Sequence, residues 1–442
     1  MQLSDHFTLK KLLKFVFPSI LMMIFTSIYG VVDGIFVSNF VGEMQFAAVN
    51  FIFPFIMILG AVGFMFGTGG SALVSKLLGE GKKEKANQIF SMIVYSAIIL
   101  GIILAIVGFF FIKVVAKWMG AKDEILQYSV IYGRILIVAL PVYILQLAFQ
   151  SFMISAEKPQ LGLFITIAAG VTNMILDALF ISGFKMGIQG AALASIIGQI
   201  VGGIFPLIYF MKKNNSLLRL KKFHFDSGAF IKTCSNGSSE LLSNISMSLV
   251  SMLYNSQLLR YAQEAGVSAY GVLMYVNMIF LAIFIGYSVG CAPIISYHYG
   301  AKNTDELKHL FKKSMLIISI TSVFMLILAE GLQDPLARIF VSYNEDLLAL
   351  TKRGFLIYSF SFLFCGINIF ASSFFTALNN GLISALISFL RTVVFQVSAV
   401  LILPIILNGT DGIWLSIVVA EILSCIVSII CLIANKKKYQ YI

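Results

Sequence analysis

The sequence predicts an all-α polytopic membrane protein with twelve transmembrane helices in two parallel-repeat six-helix bundles. Three observations carry that prediction. Hydrophobic residues make up 59% of the 442 and charged residues only 12%, with a mean hydropathy of +0.95. A soluble chain needs far more polar surface to cover its core. Charge-free apolar runs recur along the whole length, each of the roughly 18 residues or more that cross about 30 Å of hydrocarbon as a helix. Finally, the chain repeats itself. FGTGGSALVSKLLGEGKKEKANQIF (66–90) lines up with YSVGCAPIISYHYGAKNTDELKHLF (287–311) at a shift of 221, so that Gly69 meets Gly290 and Gly79 meets Gly300. FMISAEKP (152–159) meets FFTALNNG (374–381), and GIQG (187–190) meets GTDG (409–412), at a shift of 222.

The spans read, in order, as 15–40, 46–76, 88–112, 126–155, 161–182, 188–211, 237–260, 268–298, 311–333, 353–378, 383–407 and 412–434. The first has a basic start (Lys10, Lys11, Lys14) and runs past residue 30 without a small-residue cleavage site, so it is expected to be retained rather than removed as a signal peptide. The basic stretch 212–236 joins the halves, giving a six-helix lobe over 1–214 and a second over 215–442. Parallel repeats of this kind are a transporter architecture, in which two halves rock about a site between them. The loops at one end of the bundle hold 21 lysines and arginines and those at the other hold 8. The richer end is expected to be cytoplasmic, with both termini inside.

The net charge of +11 lies in these short loops, as topology signals, so nucleic acid is not an expected partner. Cys234, Cys291, Cys365, Cys425 and Cys431 form no C-x-x-C pair and are expected to be reduced. The histidines at 6, 224, 298 and 309 are scattered along the chain, and no metal site is readable from their spacing.

Charges within spans cost at least about 2.5–3.5 kcal/mol each on insertion scales, so each one is informative. On span 1, Thr26, Tyr29 and Asp33 share a face at spacings of three and four. On span 5, Thr166, Gly170, Asn173 and Asp177 form a second stripe. Two such stripes in one bundle can meet, and paired carboxylates with an amide can hold a proton or a Na⁺. At the repeat shifts Asp33 corresponds to Tyr254, Asn173 to Phe395 and Asp177 to Ala399, so the set belongs to the first half alone. A buried hydrogen-bonded cluster that merely pins spans 1 and 5 is the competing reading.

The second half has Glu240 at the start of span 7, Arg391 in span 11 and Glu421 in span 12, with Arg391 the candidate partner of Glu421. These three are a possible second-lobe charge site or a structural ion pair. Gly63, Gly67, Gly69 and Gly70 lack the Gly-Lys-Ser/Thr of a phosphate loop and read as close helix packing. Met22, Tyr29, Phe149, Met153, Tyr254 and Tyr275 lie near the polar stripes. Soft and aromatic side chains of this kind suit a cavity for flat cations, and equally suit a core.

Five stretches carry a family resemblance: VVDGIFVSNFVG (31–42), FAAVNFIFPF (46–55), GTGGSALVSKLLGEG (67–81), NMILDALFISGFKMGIQGAALAS (173–195) and GIWLS (412–416). The chain resembles, over essentially its whole length, the prokaryotic multidrug and toxic compound extrusion (MATE) transporters of the multidrug, oligosaccharidyl-lipid and polysaccharide exporter superfamily. The resemblance implies an antiporter, not an enzyme, with no cofactor. It would export amphipathic, often cationic small molecules from a bacterial cell in exchange for H⁺ or Na⁺, as a monomer in the cytoplasmic membrane. It implies a cation-coupling site in the first lobe at Asp33, Asn173, Asp177 and Ser195, and helix bending at Pro18. Ser195 stands where the family commonly has threonine, and residues 353–378 hold no acid, only Asn368. A lipid-linked saccharide flippase of the same superfamily is the alternative. It calls for a cationic central cavity, whereas only Arg134 and Arg391 fall within spans. An intramembrane enzyme would need a motif such as H-E-x-x-H, which is absent.

Overall fold

The computed structural model describes residues 1–341, 344–407 and 409–442. Its elements are α1 (Leu9–Phe40), α2 (Glu43–Gly79), α3 (Lys83–Trp118), α4 (Asp123–Val138), α5 (Leu140–Ser155), α6 (Pro159–Asp177), α7 (Gly187–Met211), α8 (Ser227–Gly300), α9 (Thr304–Val341), α10 (Glu345–Tyr358), α11 (Phe362–Ala377), α12 (Gly381–Phe389), α13 (Val397–Ile406) and α14 (Thr410–Tyr439), with no strand among the described residues. Among the described residues, ten helical segments are long and apolar enough to cross a membrane, counting α6 with the turn that follows it, α10 with α11 and α12 with α13 as one each, and the α4–α5 pair, bent by 59°, adds another. α8 supplies two crossings, because it breaks at Gln263 (φ 54°, ψ −147°). The total is twelve.

Most helices outrun the apolar segments that announce them. α1 begins at Leu9, where Thr8 caps it through its side chain, and α3 reaches from Lys83 to Trp118. Hydropathy marks only the part in hydrocarbon; the polar ends continue the helix for one or two turns into the interface. The α4–α5 bend falls at Ala139, two residues before Pro141, which has no amide hydrogen to continue the ladder. The α1–α2 turn is made by Gly42, whose φ of +106° is open to glycine and strained for other residues. A π-helical turn, Ala178–Gly183, follows Asp177 directly, and another, Leu390–Gln396, contains Arg391. Such turns leave the regular hydrogen-bond ladder and recur at functional sites.

α1–α7 form one bundle and α8–α14 the other, joined by the non-helical stretch 212–226. Four apolar cores fill the molecule. Two lie at the lysine-rich end and mix the bundles. Phe66, Phe90 and Phe152 pack with Phe230 and Cys234 in one, and Leu3, Phe7, Leu12 and Ile154 pack with Ile294, Leu310 and Phe374 in the other. The two cores at the opposite end do not mix. One draws only on the first bundle (Val37, Ile52, Tyr132, Ile188) and the other only on the second (Tyr254, Tyr270, Phe362, Trp414). Among the described residues, the bundles are therefore sealed together at the lysine-rich end and share no apolar core at the other.

The seal obeys the repeat. A Cβ at Gly79 would fall 2.0 Å from the Tyr297 carbonyl oxygen, and one at Gly300 would fall 2.0 Å from that of Lys76. These two glycines are repeat mates, and each lets its helix touch the other's backbone. Further in, Gly237 faces Met65, while Gly286 and Gly290 face Ile20, Ser19 and Val16. Small residues permit this backbone approach. Ser27 Oγ also donates across the bundles to the Met278 carbonyl, at 3.4 Å.

Candidate functional site

α1, α5, α6 and α7 enclose a polar centre in the first bundle. Tyr29 packs on Gly170 of α6, so the two stripes seen in the sequence do face each other. The Asp33 and Asp177 carboxyl groups are close enough to interact electrostatically, without a direct hydrogen bond between them. Asp177 is fully buried, and Asn173, one turn earlier, is 3% exposed. Asn173 rests against Gly198 of α7, one turn from the half-buried Ser195. Four of the expected residues are thus carried to one neighbourhood by three helices.

Among the described residues, neither oxygen of Asp177 has a hydrogen-bond donor, and the same holds for Asp33 Oδ1 and Asn173 Oδ1. The orphans are all oxygens. Gln146 Oε1 and Gln199 Oε1 join them. Gln146 packs on Gly202 of α7 and lies beside the Tyr29 hydroxyl, and Tyr132 stands near both carboxyl groups. Unsatisfied buried acceptors cost about 1–3 kcal/mol each, more when charged. Buried carboxyl and amide oxygens left without donors can be completed by a proton or a hard cation. Gln146, Gln199 and Tyr132 are additions to the residues expected from the sequence. The available signal was an amide within an apolar span, as at 146 and 199; nothing distinguished Tyr132 from other aromatics.

The second bundle has a different centre. Arg391 Nε donates to Glu421 Oε1 at 2.8 Å, and Asn368 Nδ2 donates to Glu421 Oε2 at 2.7 Å. Ser428 in turn donates to Asn368 Oδ1 at 2.9 Å. Both oxygens of Glu421 are satisfied. Glu240 bonds to neither partner. It lines a small cavity between the bundles with Thr68, Ser71, Ser151, Ser373 and Thr376.

The six aromatic and methionine residues expected to line a cavity are not gathered into a single group. Met22, Phe149, Met153 and Tyr254 are at most 1% exposed. Met22 and Met153 meet at Gly162, and Tyr254 stacks on Tyr270 at 5.2 Å between ring centroids. Tyr29 is half-buried in the polar centre, and Tyr275, at 39% exposure, is the one that reaches the surface. Pro18 is buried within an unbroken α1, immediately before Ser19 and Ile20, which touch α8.

The expectation that the histidines are scattered needs correction. His6 and His309, 303 residues apart, lie with Glu306 in one group whose ligand atoms are within 4.8 Å of one another. Buried His298 packs on Phe7 beside them. Folding over that separation is invisible to a spacing rule.

Comparison with known proteins adds to this geometry. The MatE family model matches residues 18–179 and 241–401. The chain is 25% identical over 366 residues to the multidrug export protein MepA of Staphylococcus haemolyticus, covering 81% of this chain and 80% of the relative. It is 24% identical over 428 residues to MepA of Staphylococcus aureus strain MRSA252, covering 95% and 92%. Its fold matches the outward-facing conformation of a multidrug resistance MATE family transporter of the MOP superfamily, with a TM-score of 0.91 at 21% identity over 98% of each chain.

Proposed function

We propose, from the premise that this chain belongs to the MatE family, that it is an antiporter exporting amphipathic, mostly cationic organic compounds in exchange for H⁺ or Na⁺. Members of the family are transporters, so the chain is not an enzyme and needs no cofactor. Its relatives named as multidrug exporters support the substrate class. The observation that carries the coupling is the pair of neighbouring carboxyl groups, Asp33 and Asp177, set among orphaned oxygens and with no basic partner. Two such groups cannot both stay charged in a low-dielectric bundle without large cost, and an entering cation removes that cost. Asn173 and Ser195 complete the ion site in this reading.

The lobes are residues 1–214 and 215–442, and they exchange access by rocking. The excess of 21 over 8 basic loop residues puts the lysine-rich end, with both termini, in the cytoplasm. The sealed end is then cytoplasmic, and the cleft opens outward. Tyr29, which packs on Gly170 beside the carboxyl pair, is the aromatic nearest the ion site. A monomer suffices, since both lobes come from one chain. The flippase reading lacks its anion site: Arg391 is held by Glu421, and Arg134 lies over the Phe109 ring, 4.9 Å from its centroid.

Dye efflux from proteoliposomes under separate Na⁺ and pH gradients tests the proposal. One gradient should drive efflux against a dye gradient, and abolishing Asp177 should remove that drive. Dye movement indifferent to both gradients would reject antiport.

A further inference from the structure

Three of the four histidines in the chain converge on one acid at the lysine-rich end. His6 lies in the segment before α1, while Glu306 and His309 share a face in the first turns of α9, spaced by three residues. His6 Nδ1 meets Glu306 Oε2. Glu306 is only 4% exposed, and its other oxygen accepts the Phe7 amide at 2.9 Å. The rings of His6 and His309 approach edge-on at 6.0 Å. Buried His298 packs edge-on against the Phe7 ring beside them, with the Leu3 and Asp5 backbone near its imidazole.

We propose that His6, Glu306 and His309 bind a first-row divalent transition metal ion of the Zn²⁺ class, fastening the N-terminal segment to the second lobe. Two imidazole nitrogens and one carboxylate oxygen are a known zinc donor set, with the fourth position left to water. Bonds of ~2.0–2.1 Å to a tetrahedral ion hold ligand atoms ~3.3 Å apart. The three ligand atoms already lie within 4.8 Å of one another, so small rotations of the two exposed imidazoles suffice. The ammonium of Lys313 donates to the Phe7 carbonyl and is not one of the three ligand groups. Mg²⁺ and Ca²⁺ prefer all-oxygen sites and are excluded by the same donors.

The segment that carries His6 is a strap between the lobes. The Leu3 amide donates to Glu157 of the first lobe at 2.6 Å, while Phe7 is held by Glu306 and Lys313 of the second. Glu157 lies outside the spans; burial pushes its carboxyl up, and the Leu3 amide opposes that shift. A metal at His6 would tighten the second-lobe end of this strap.

The test uses full-length protein freed of any purification tag, titrated with Zn²⁺ by calorimetry and followed by hydrogen exchange. The parent should bind one Zn²⁺ per chain, unaffected by excess Mg²⁺, with slower exchange over residues 3–8. His6→Ala and His309→Ala should each weaken binding by at least about tenfold and abolish the added protection. His224→Ala, far along the chain, should change neither. Absence of binding, equal affinity in both ligand variants, or binding without protection of residues 3–8 would each overturn the proposal.

Discussion

The polar centres of the two lobes share two matched positions and differ in whether their charges are answered. At the shift of 222, Gln146 and Gln199 of the first lobe correspond to Asn368 and Glu421 of the second. In the second lobe the acid is held by Arg391 and Asn368, and Asn368 by Ser428. In the first, amide oxygens are left bare and the acids, Asp33 and Asp177, sit next to each other. A saturated ion pair gives a lobe fixed electrostatics in every state. An unsaturated carboxylate pair makes a lobe's energy depend on what occupies it. Under the proposed function, the second bundle keeps a rigid centre, its acid answered by Arg391 and Asn368, and the first a responsive one, its acids answered by the entering cation.

The largest effect should come from removing a charge on the responsive side. Asp33→Asn or Asp177→Asn should reduce ion-driven efflux to background while the purified protein keeps its helicity and monodispersity. An amide also supplies donors to the orphaned oxygens nearby, so the fold should not suffer. Uphill efflux at the parental rate in either variant would return the first-lobe pair to the status of a structural cluster.

The opposite signature is expected across the divide. Glu421→Gln leaves Arg391 buried without its counter-charge, and losses from breaking such pairs run at about 3–5 kcal/mol. Reversible unfolding in mixed micelles should register that loss. The double variant Arg391→Met, Glu421→Leu removes both charges and should recover most of the stability. If Glu421→Gln were as stable as the parent but inactive, the second lobe would be responsive too, and the contrast would fail.

A smaller effect tests the matched amides directly. Asn368→Leu strands Glu421 Oε2 and the Ser428 hydroxyl, at a cost of about 1–3 kcal/mol. Gln146→Leu occupies the mate position, but Gln146 Oε1 already lacks a donor, so it should cost less in the same unfolding assay. Equal losses would mean that the first-lobe amide is satisfied in the membrane after all.

How legible this was depends on the scale of the feature. Twelve crossings and the repeat were readable, because hydropathy and a persistent shift are summed over many residues. The facing of Asp33 and Asp177 was readable too, since helical periodicity puts Tyr29 with the first and Gly170 with the second. The Arg391–Glu421 pair followed from there being few charges to choose from. What escaped was set by tertiary approach. The segment 261–267 looks like a loop by polarity, yet the helix is interrupted only at Gln263. The burial of Met22, Phe149 and Met153 depends on neighbours that composition does not name. The histidine group joins residues about 300 positions apart, beyond any local pattern.

The least drastic change concerns how the responsive centre is connected to the lobe interface. α1 carries Asp33 about 22 Å along its axis from Pro18, at 1.5 Å per residue. Pro18 has no amide donor, so bending there adds little cost. Ser19 and Ile20, the next two residues, are the ones that lie on Gly290 and Gly286 of α8. A bend at Pro18 therefore pivots the Asp33-bearing arm about the contact between lobes. In the proposed antiport, neutralising the carboxylate pair would let α1 close on α6 beside Tyr29 and lower affinity for a cationic substrate. Linkage makes the effect reciprocal: the ion weakens drug binding by the factor with which the drug weakens ion binding. With a static α1, exclusion would instead be direct competition for the aspartates. Pro18→Ala separates these cases, because it restores an amide and leaves both carboxylates in place. Binding of each ligand alone, measured by calorimetry, should stay within about twofold of the parent. Their mutual exclusion, on the order of 1–3 kcal/mol for a coupled pair of sites, should shrink toward zero. Full exclusion with normal turnover in Pro18→Ala would assign the coupling to competition at Asp33 and Asp177, with no role for the bend.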